Sequence, residues 1–296
     1  MYVITGATGN TGKPIAVALL NSGKKVRIVS RNAVKAKELT DKGAELFVGD
    51  VGDVIFLSKA FQGATAVYAM IPPDFTAPDV TKYQMKVADS IAQAVKTAGV
   101  KFVVALSSVG THLEKDFGIV SGLRYMEQKL NAIPGLNALY LRPTYFMENS
   151  LGMVDTVKKF GVIGSPVKGD LRMNMIATKD IASYATKRLL ALDFSNHNVQ
   201  YLLGQRDLTY FEVAKVFGAG IGKPDLEYAE FPYEDFKKVM LGMGASASMA
   251  DNMNTFIKSM NEGKILSDAK RTPESTTPTS IEEFAKIFAD IYSMKK

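Results

Sequence analysis

Three glycines near the start of the chain have the type and spacing to hold a diphosphate. They stand in Gly6-Ala7-Thr8-Gly9-Asn10-Thr11-Gly12, directly after the β-branched run Tyr2-Val3-Ile4-Thr5. A strand, a glycine-rich turn and a helix in that order form a diphosphate-binding turn. Gly6 lets the chain leave the strand sharply, with φ free to become positive. Gly9 has no Cβ, so the backbone there approaches a diphosphate closely, and Thr8, Asn10 and Thr11 complete the loop around it. Gly12 allows the following helix to pack tightly on the sheet. The helix N-terminus then turns its N–H groups and positive dipole end toward the phosphates. The spacing has one more residue before the second glycine than G-x-G-x-x-G. The competing interpretation is an ordinary tight turn at a strand end.

The residues about 20 positions later bear on which nucleotide this is. A site that prefers NAD carries an acid there to hold the ribose 2′-hydroxyl. This chain reads Val29-Ser30-Arg31-Asn32, without an acid, and Lys35 and Lys37 follow. The guanidinium fork of Arg31 suits a 2′-phosphate. Ser30 adds a hydroxyl and Lys35 a further charge. An exposed basic helix start is the alternative. Asp50, with Val51 beside it, would lie at the adenine edge, while Asp53 has the character of a helix N-cap. The expected cofactor is NADP(H).

A second constellation lies further along. A strand ends in Leu106-Ser107-Ser108, and the next helix carries Tyr125-Met126-Glu127-Gln128-Lys129. Tyr and Lys four apart share a helix face. In a hydride-transfer site Lys129 would hold the nicotinamide ribose and lower the phenol pKa. Tyr125 would donate the proton and Ser107 would orient the substrate carbonyl. Tyr125 could equally be a packing residue with a polar tip.

The elements that must position these groups alternate between short strands and amphipathic helices. Strands are expected over 2–5, 26–30, 45–48, 66–70, 102–107 and 138–142, and helices over 13–22, 34–42, 54–61, 80–98 and 121–132. That rhythm predicts an α/β protein with a doubly wound parallel sheet, a Rossmann domain, and a crevice at the strand carboxyl ends. After Pro143 the rhythm breaks. A helix over about 180–192 returns to the sheet, and short helices and loops follow from about residue 208. The expected division is 1–150 with 176–204 as the NAD(P)-binding domain. Residues 151–175 and 205–296 would form a smaller C-terminal substrate-binding lobe. Met240, Met243, Met249, Met253 and Met260 would line a pliable pocket or simply fill that lobe's core.

Composition sets further bounds. At 296 residues the chain has the length of about two domains. There are no cysteines and only two histidines, His112 and His197, which argues against a thiol nucleophile or a metal site. The net charge of +6 is spread along the chain, so solvated helix faces and an anionic cofactor rank ahead of nucleic acid as its explanation. No apolar run reaches membrane-span length. The first strand begins at residue 2, so no targeting segment is expected. These features predict a soluble cytoplasmic protein acting on a small molecule, with an oligomer left open. His112, in a loop after Ser108, could reach substrate, but is expected rather as an exposed loop residue.

The glycine turn, the Ser30-Arg31 strand end, Ser107-Ser108, Glu127-Gln128-Lys129 and Leu141-Arg142-Pro143-Thr144-Tyr145-Phe146-Met147-Glu148-Asn149 together resemble the NmrA-like group of atypical short-chain dehydrogenase/reductases. Asp180-Ile181-Ala182, Leu208-Thr209-Tyr210-Phe211-Glu212-Val213-Ala214 and Thr276-Thr277-Pro278-Thr279 extend the likeness over nearly the whole chain. The resemblance implies a Rossmann domain with a small α/β lobe, and NADPH as the usual cofactor. It places Pro143, Tyr145 and Phe146 against the nicotinamide, with Met70 and the residues after it on the opposite wall. Similar proteins include quinone and azo-dye reductases, plant ether reductases and redox-sensing regulators. Reduction of a quinone or azo compound is the first expectation. An NADP(H)-sensing regulator without turnover, or a sugar-nucleotide epimerase-like enzyme, are the alternatives.

Overall fold

Tyr2, Val3 and Ile4 are all buried, which calls for a sheet covered by helices on both faces. The computed structural model, which describes residues 1–115 and 118–294, has that arrangement. In chain order β1 (Tyr2–Ile4), α1 (Gly12–Asn21), β2 (Val26–Ser30), α2 (Ala33–Asp41), β3 (Glu45–Val48) and α3 (Val54–Phe61) are followed by β4 (Ala66–Ala69) and α4 (Val80–Ala98). Next come β5 (Phe102–Leu106), α5 (Ser121–Asn131), β6 (Asn137–Pro143), β7 (Tyr145–Phe146), α6 (Val154–Phe160), β8 (Val162–Ser165) and β9 (Met173–Ile176). The chain continues through α7 (Thr178–Ala191), β10 (His197–Leu202), β11 (Asp207–Leu208), α8 (Tyr210–Gly220) and β12 (Glu227–Glu230). It ends with α9 (Tyr233–Gly242), α10 (Ala247–Asn261) and α11 (Ile281–Ser293).

The main sheet has seven strands in the order β10-β6-β5-β4-β1-β2-β3, and every neighbouring pair is parallel. The chain winds outward from β1 to β3, then crosses back to β4. The strand order reverses between β1 and β4, the switch point at whose carboxyl ends doubly wound sheets bind their ligands. Apolar residues of α1, α2 and α7 cover one face, and those of α3, α4 and α5 the other. The six expected strands and five expected helices all form, with ends shifted by a residue or two. The seventh strand, β10, was missed. Its sequence, His197-Asn198-Val199-Gln200-Tyr201-Leu202, is mostly polar because it lies at the sheet edge, where half its residues face solvent.

The remaining elements form a second core. A small sheet β11-β9-β7 and a pair β12-β8 pack with α6, α8 and α11 around Ile163, Phe217 and Phe284. The ring of Phe217 stacks on Phe288 at 4.3 Å. Strands β11 and β12 stand where only helices and loops were expected. Two to four residues are too short for an alternating pattern to be read.

A buried carboxylate joins the last helix to the main sheet. Asp180, in the first turn of α7, accepts hydrogen bonds from the Thr279 amide at 3.0 Å and the Thr279 hydroxyl at 2.7 Å. Asp180→Ala leaves both donors buried and unpaired. Hydrogen bonds to a charged group contribute about 1.5–3 kcal/mol each, so this variant should lose about 3 kcal/mol of stability. Denaturant unfolding measures it. A loss below about 1 kcal/mol would show that α11 is held by its apolar face alone.

Candidate functional site

The glycine turn is built as its spacing predicts, with one difference. Gly6 has φ +61°, and a Cβ there would lie 1.9 Å from Met70 Sδ. Its carbonyl accepts the Gly9 amide at 3.0 Å, and the Gly9 carbonyl accepts the Lys13 amide at 3.1 Å. A Cβ on Gly12 would come within 2.3 Å of the Gly6 carbonyl oxygen. The close contact is therefore between the helix and the turn itself, rather than the sheet. At Gly9 a Cβ would meet only the Gly6 oxygen, at 3.3 Å. The outer side of Gly9 is open to a ligand.

Helix α1 starts without a side-chain cap, whereas Asn32, Asp53 and Asp79 cap α2, α3 and α4. The candidate cap, Thr11, instead accepts a hydrogen bond from the buried Tyr68 phenol at 3.0 Å. Burial pushes that phenol well above its usual pKa, so it stays a donor. In the first turn of α1 the Lys13 amide goes to Gly9, Pro14 has no N–H and the Ile15 amide goes to Thr11 at 3.3 Å, which leaves the Gly12 amide and the positive end of the helix dipole for an anion. Thr8 and Asn10 lie on the accessible side of the loop, which carries no acid. These residues fit a dinucleotide diphosphate.

At the end of β2, Arg31 and Lys35 are exposed. The Ser30 hydroxyl is engaged with the backbone of Asn32, donating to its carbonyl at 3.0 Å and accepting its amide at 3.2 Å. Ser30 thus shapes the turn that presents Arg31. The Asp74 carboxyl is held below its usual range, first by hydrogen bonds from Thr76 and further by the charge of Arg31. Asp50 accepts the Gly52 amide at 2.6 Å, and Val51 beside it is buried. Asp53 accepts the amides of Ile55 and Phe56, the N-cap expected of it.

Beyond the switch point, the carboxyl ends of β5, β6 and β10 are joined by a chain of charges. Ser107, only 2% exposed, donates its hydroxyl to Glu127 Oε1 at 2.5 Å. Thr111 donates to the same oxygen at 3.3 Å. Arg142 holds both carboxylate oxygens, through Nε at 3.0 Å and Nη2 at 2.6 Å. Burial disfavours the guanidinium charge, but Glu127 and Tyr201 more than offset that and keep it protonated. Arg142 Nη1 donates to the Tyr201 hydroxyl at 2.9 Å, which donates to Asp268. Burial and the Asp268 contact push the Tyr201 phenol up to about 12. His112 ends the chain, with Nδ1 2.9 Å from Asp268 Oδ1 and Nε2 2.9 Å from Ser267 Oγ. It is not the free loop histidine that was expected.

Tyr125 and Lys129 lie elsewhere. The Tyr125 hydroxyl donates to Asp89 of α4 at 3.1 Å, and Lys129 Nζ is 2.9 Å from the same carboxylate. Lys129 also sits 4.8 Å from the Tyr125 ring centroid. Two residues along a helix is a turn of about 200°, so both project opposite to Glu127. The structure brings Ser107 to Glu127 and Tyr125 to Lys129, but it does not bring the two groups together. Glu127, Arg142, Tyr201 and Asp268 were not singled out as site residues. The legible signal was Arg142, a charge inside an otherwise apolar strand, which demands a buried partner.

Of the walls expected from the resemblance, Met70, Tyr145 and Phe146 are half-buried and Pro143 is buried. Met70 abuts Gly6, and the Pro143 carbonyl, at the end of β6, accepts the Val109 amide at 3.1 Å. Phe146 packs on the main sheet core, while Tyr145 meets Tyr210 edge to face at 6.2 Å. Met240, Met249 and Met260 are buried core residues, Met253 packs beside them, and Met243 is 79% exposed. Met240, Met249 and Met253 fill a small separate core with Val80 and Ala250, and Met260 belongs to the second core. Among the described residues no group of histidines and carboxylates could hold a metal ion, and no helix is long and apolar enough to cross a membrane.

Gly9 and Gly12 should respond differently to a methyl group. Gly9→Ala should fold but lose dinucleotide binding, because the new Cβ occupies the open approach. Gly12→Ala should lose stability as well, since its Cβ meets backbone. Dinucleotide titration alongside thermal unfolding separates the two, and normal binding by Gly9→Ala would place the phosphates elsewhere.

The sequence matches the NmrA-like family over residues 2–285. It is 28% identical over 254 residues to an NAD(P)H azoreductase of Xenophilus azovorans, covering 86% of this chain and 85% of that protein. Its fold is similar to that of an NADPH-dependent quinone oxidoreductase of Escherichia coli crystallised with NADPH, with a TM-score of 0.81 and 22% identity over 97% of this chain and 99% of the other. It is also similar to that of NmrA, a negative transcriptional regulator crystallised with NADP, with a TM-score of 0.72 and 15% identity over 99% and 98% of the two chains. The chain belongs to the NmrA-like family.

Proposed function

We propose that this protein is an NADPH-dependent reductase of a small electrophilic acceptor, such as a quinone or an azo compound. The observation that carries the reading is the uncapped start of α1 behind the open Gly9, with Arg31 exposed at the end of β2 and no acid at that strand end. The diphosphate would rest on the turn and the 2′-phosphate on Arg31, with Lys35 adding charge. Asp50 and Val51 would border the adenine. The azoreductase relative and the fold shared with the quinone oxidoreductase support the same class.

The cofactor supplies the hydride. This chain's residues bind, orient and exclude water. A quinone or azo acceptor is already electrophilic, so placing it against the nicotinamide contributes most of the rate. Ser107, whose hydroxyl proton is committed to Glu127, and the Tyr125–Lys129 pair, engaged with Asp89, are not asked to donate a proton. The lobe holding α8 to α11 would cover the acceptor. That same lack of an assembled Ser–Tyr–Lys group favours, as a second reading, an NADP(H)-sensing regulator, and counts against epimerase-like chemistry.

Consumption of NADPH with a panel of quinones and azo dyes tests the proposal, and binding without turnover would favour the regulator. Arg31→Ala should weaken NADPH by roughly tenfold or more, from the 1.5–3 kcal/mol of a charged hydrogen bond, and leave NADH nearly unchanged. Equal NADPH affinity in both proteins would remove Arg31 from the site. Tyr125→Phe and Lys129→Ala should each keep turnover within about threefold, as expected for an exposed ion pair. A loss in the 10²–10⁴ range of a missing general acid would bring Tyr125 back into the chemistry.

A further inference from the structure

We propose that Glu127 and Arg142 are positioning residues for hydride transfer, because their buried ion pair sets the spacing of the strand ends that would flank the nicotinamide. The inference rests on the reductase reading. The two side chains are 8% and 12% exposed. Burying such a pair gains little stability over apolar residues of similar volume. A pair of apolar side chains would hold α5 on the sheet as firmly, but would fix no direction. The ion pair fixes several. One carboxylate, Glu127, gathers Ser107 and Thr111 from the loop after β5 and Arg142 from the end of β6.

The backbone continues the same brace. The Ser107 amide donates to the Leu141 carbonyl at 2.8 Å and the Val109 amide to the Pro143 carbonyl at 3.1 Å. Residues 107–111 and 143–146 are thus held at one separation, and they stand on the side of the switch point away from Arg31. The remaining nitrogen of Arg142 extends the brace to Tyr201 on β10, and through it to Asp268 and His112. Asp268 belongs to the segment between α10 and α11, so that segment is fastened to the loop after β5. Five stretches of chain, the loop after β5, α5, β6, β10 and the segment between α10 and α11, meet in this one network. A displacement of about 1 Å at a hydride-transfer site costs about 10²-fold in rate, and this is the only chain of charges that spans the ends of β5, β6 and β10 among the described residues.

The test uses the full-length protein, 1,4-benzoquinone as acceptor, and NADPH carrying deuterium at the transferred position. In Glu127→Gln the NADPH dissociation constant, read by fluorescence titration, should stay within about threefold. Turnover should fall about thirtyfold or more, approaching the 10²-fold cost of misplacement, and the deuterium isotope effect on kcat should rise above the wild-type value. Arg142→Lys should move both readouts the same way, and Asp268→Asn, at the more exposed end, less strongly. If Glu127→Gln does not fold, Arg142→Lys and Asp268→Asn carry the same comparison. A folded variant with turnover and isotope effect within twofold of wild type would overturn the role and leave the pair purely structural. A wild type that binds NADPH but reduces nothing overturns this role together with the reductase reading. A wild type that turns over with variants that match it overturns this role alone.

Discussion

The first turn of α1 rests on the Gly6 carbonyl at a separation no side chain permits. From that contact the rest of the crevice takes its place. Helix α1 can lie against the Gly6-Ala7 turn only because Gly12 has no Cβ, and its uncapped end then lies beside the turn that leaves β1. At Gly6 itself, Met70 presses where a Cβ would be, which fixes the exit of β4 against the exit of β1. The turn, the helix end and the β4 wall are one packed unit.

The second half of the crevice is organised by charge instead of close backbone contact. Arg142 and Glu127 sit between β6 and α5, and each of their polar atoms has a partner drawn from a different part of the chain. Buried charges tolerate no unpaired member, so this arrangement defines one geometry where an apolar interface would accept several. The second core is joined through it, and again through Asp180 and Thr279.

Local signals account for what the sequence revealed. Gly6 and Gly9 act on their immediate neighbours, and Asp53 caps amides two and three residues away, so their spacing is enough to read them. The five interior strands of the main sheet, β6, β5, β4, β1 and β2, are mostly apolar because both faces are covered. Strand β10 escaped because an edge position removes the need for apolar residues. The Tyr125–Lys129 spacing is a genuine helix face, but spacing alone does not say which face turns to the sheet. Glu127, between them, carries that information only once its partner Arg142 is known, and the two are joined by tertiary structure rather than by proximity in sequence.

Strand β10 has a consequence for how the protein comes to be made. It is the last strand to join the seven-stranded sheet, yet β7, β8 and β9 of the second core lie between it and its partner β6. A chain emerging from the ribosome therefore exposes the outer edge of β6 until residue 202 is out, with the hydrogen-bonding groups of an incomplete sheet on display. The tie from Asp180 waits longer still, for Thr279. Contacts so far apart in sequence slow folding and lengthen the time such an edge stays open. The two halves of the molecule are interleaved in the chain, so the main sheet closes only after three strands of the second core have been made, and the small sheets close later still, with β11 and β12.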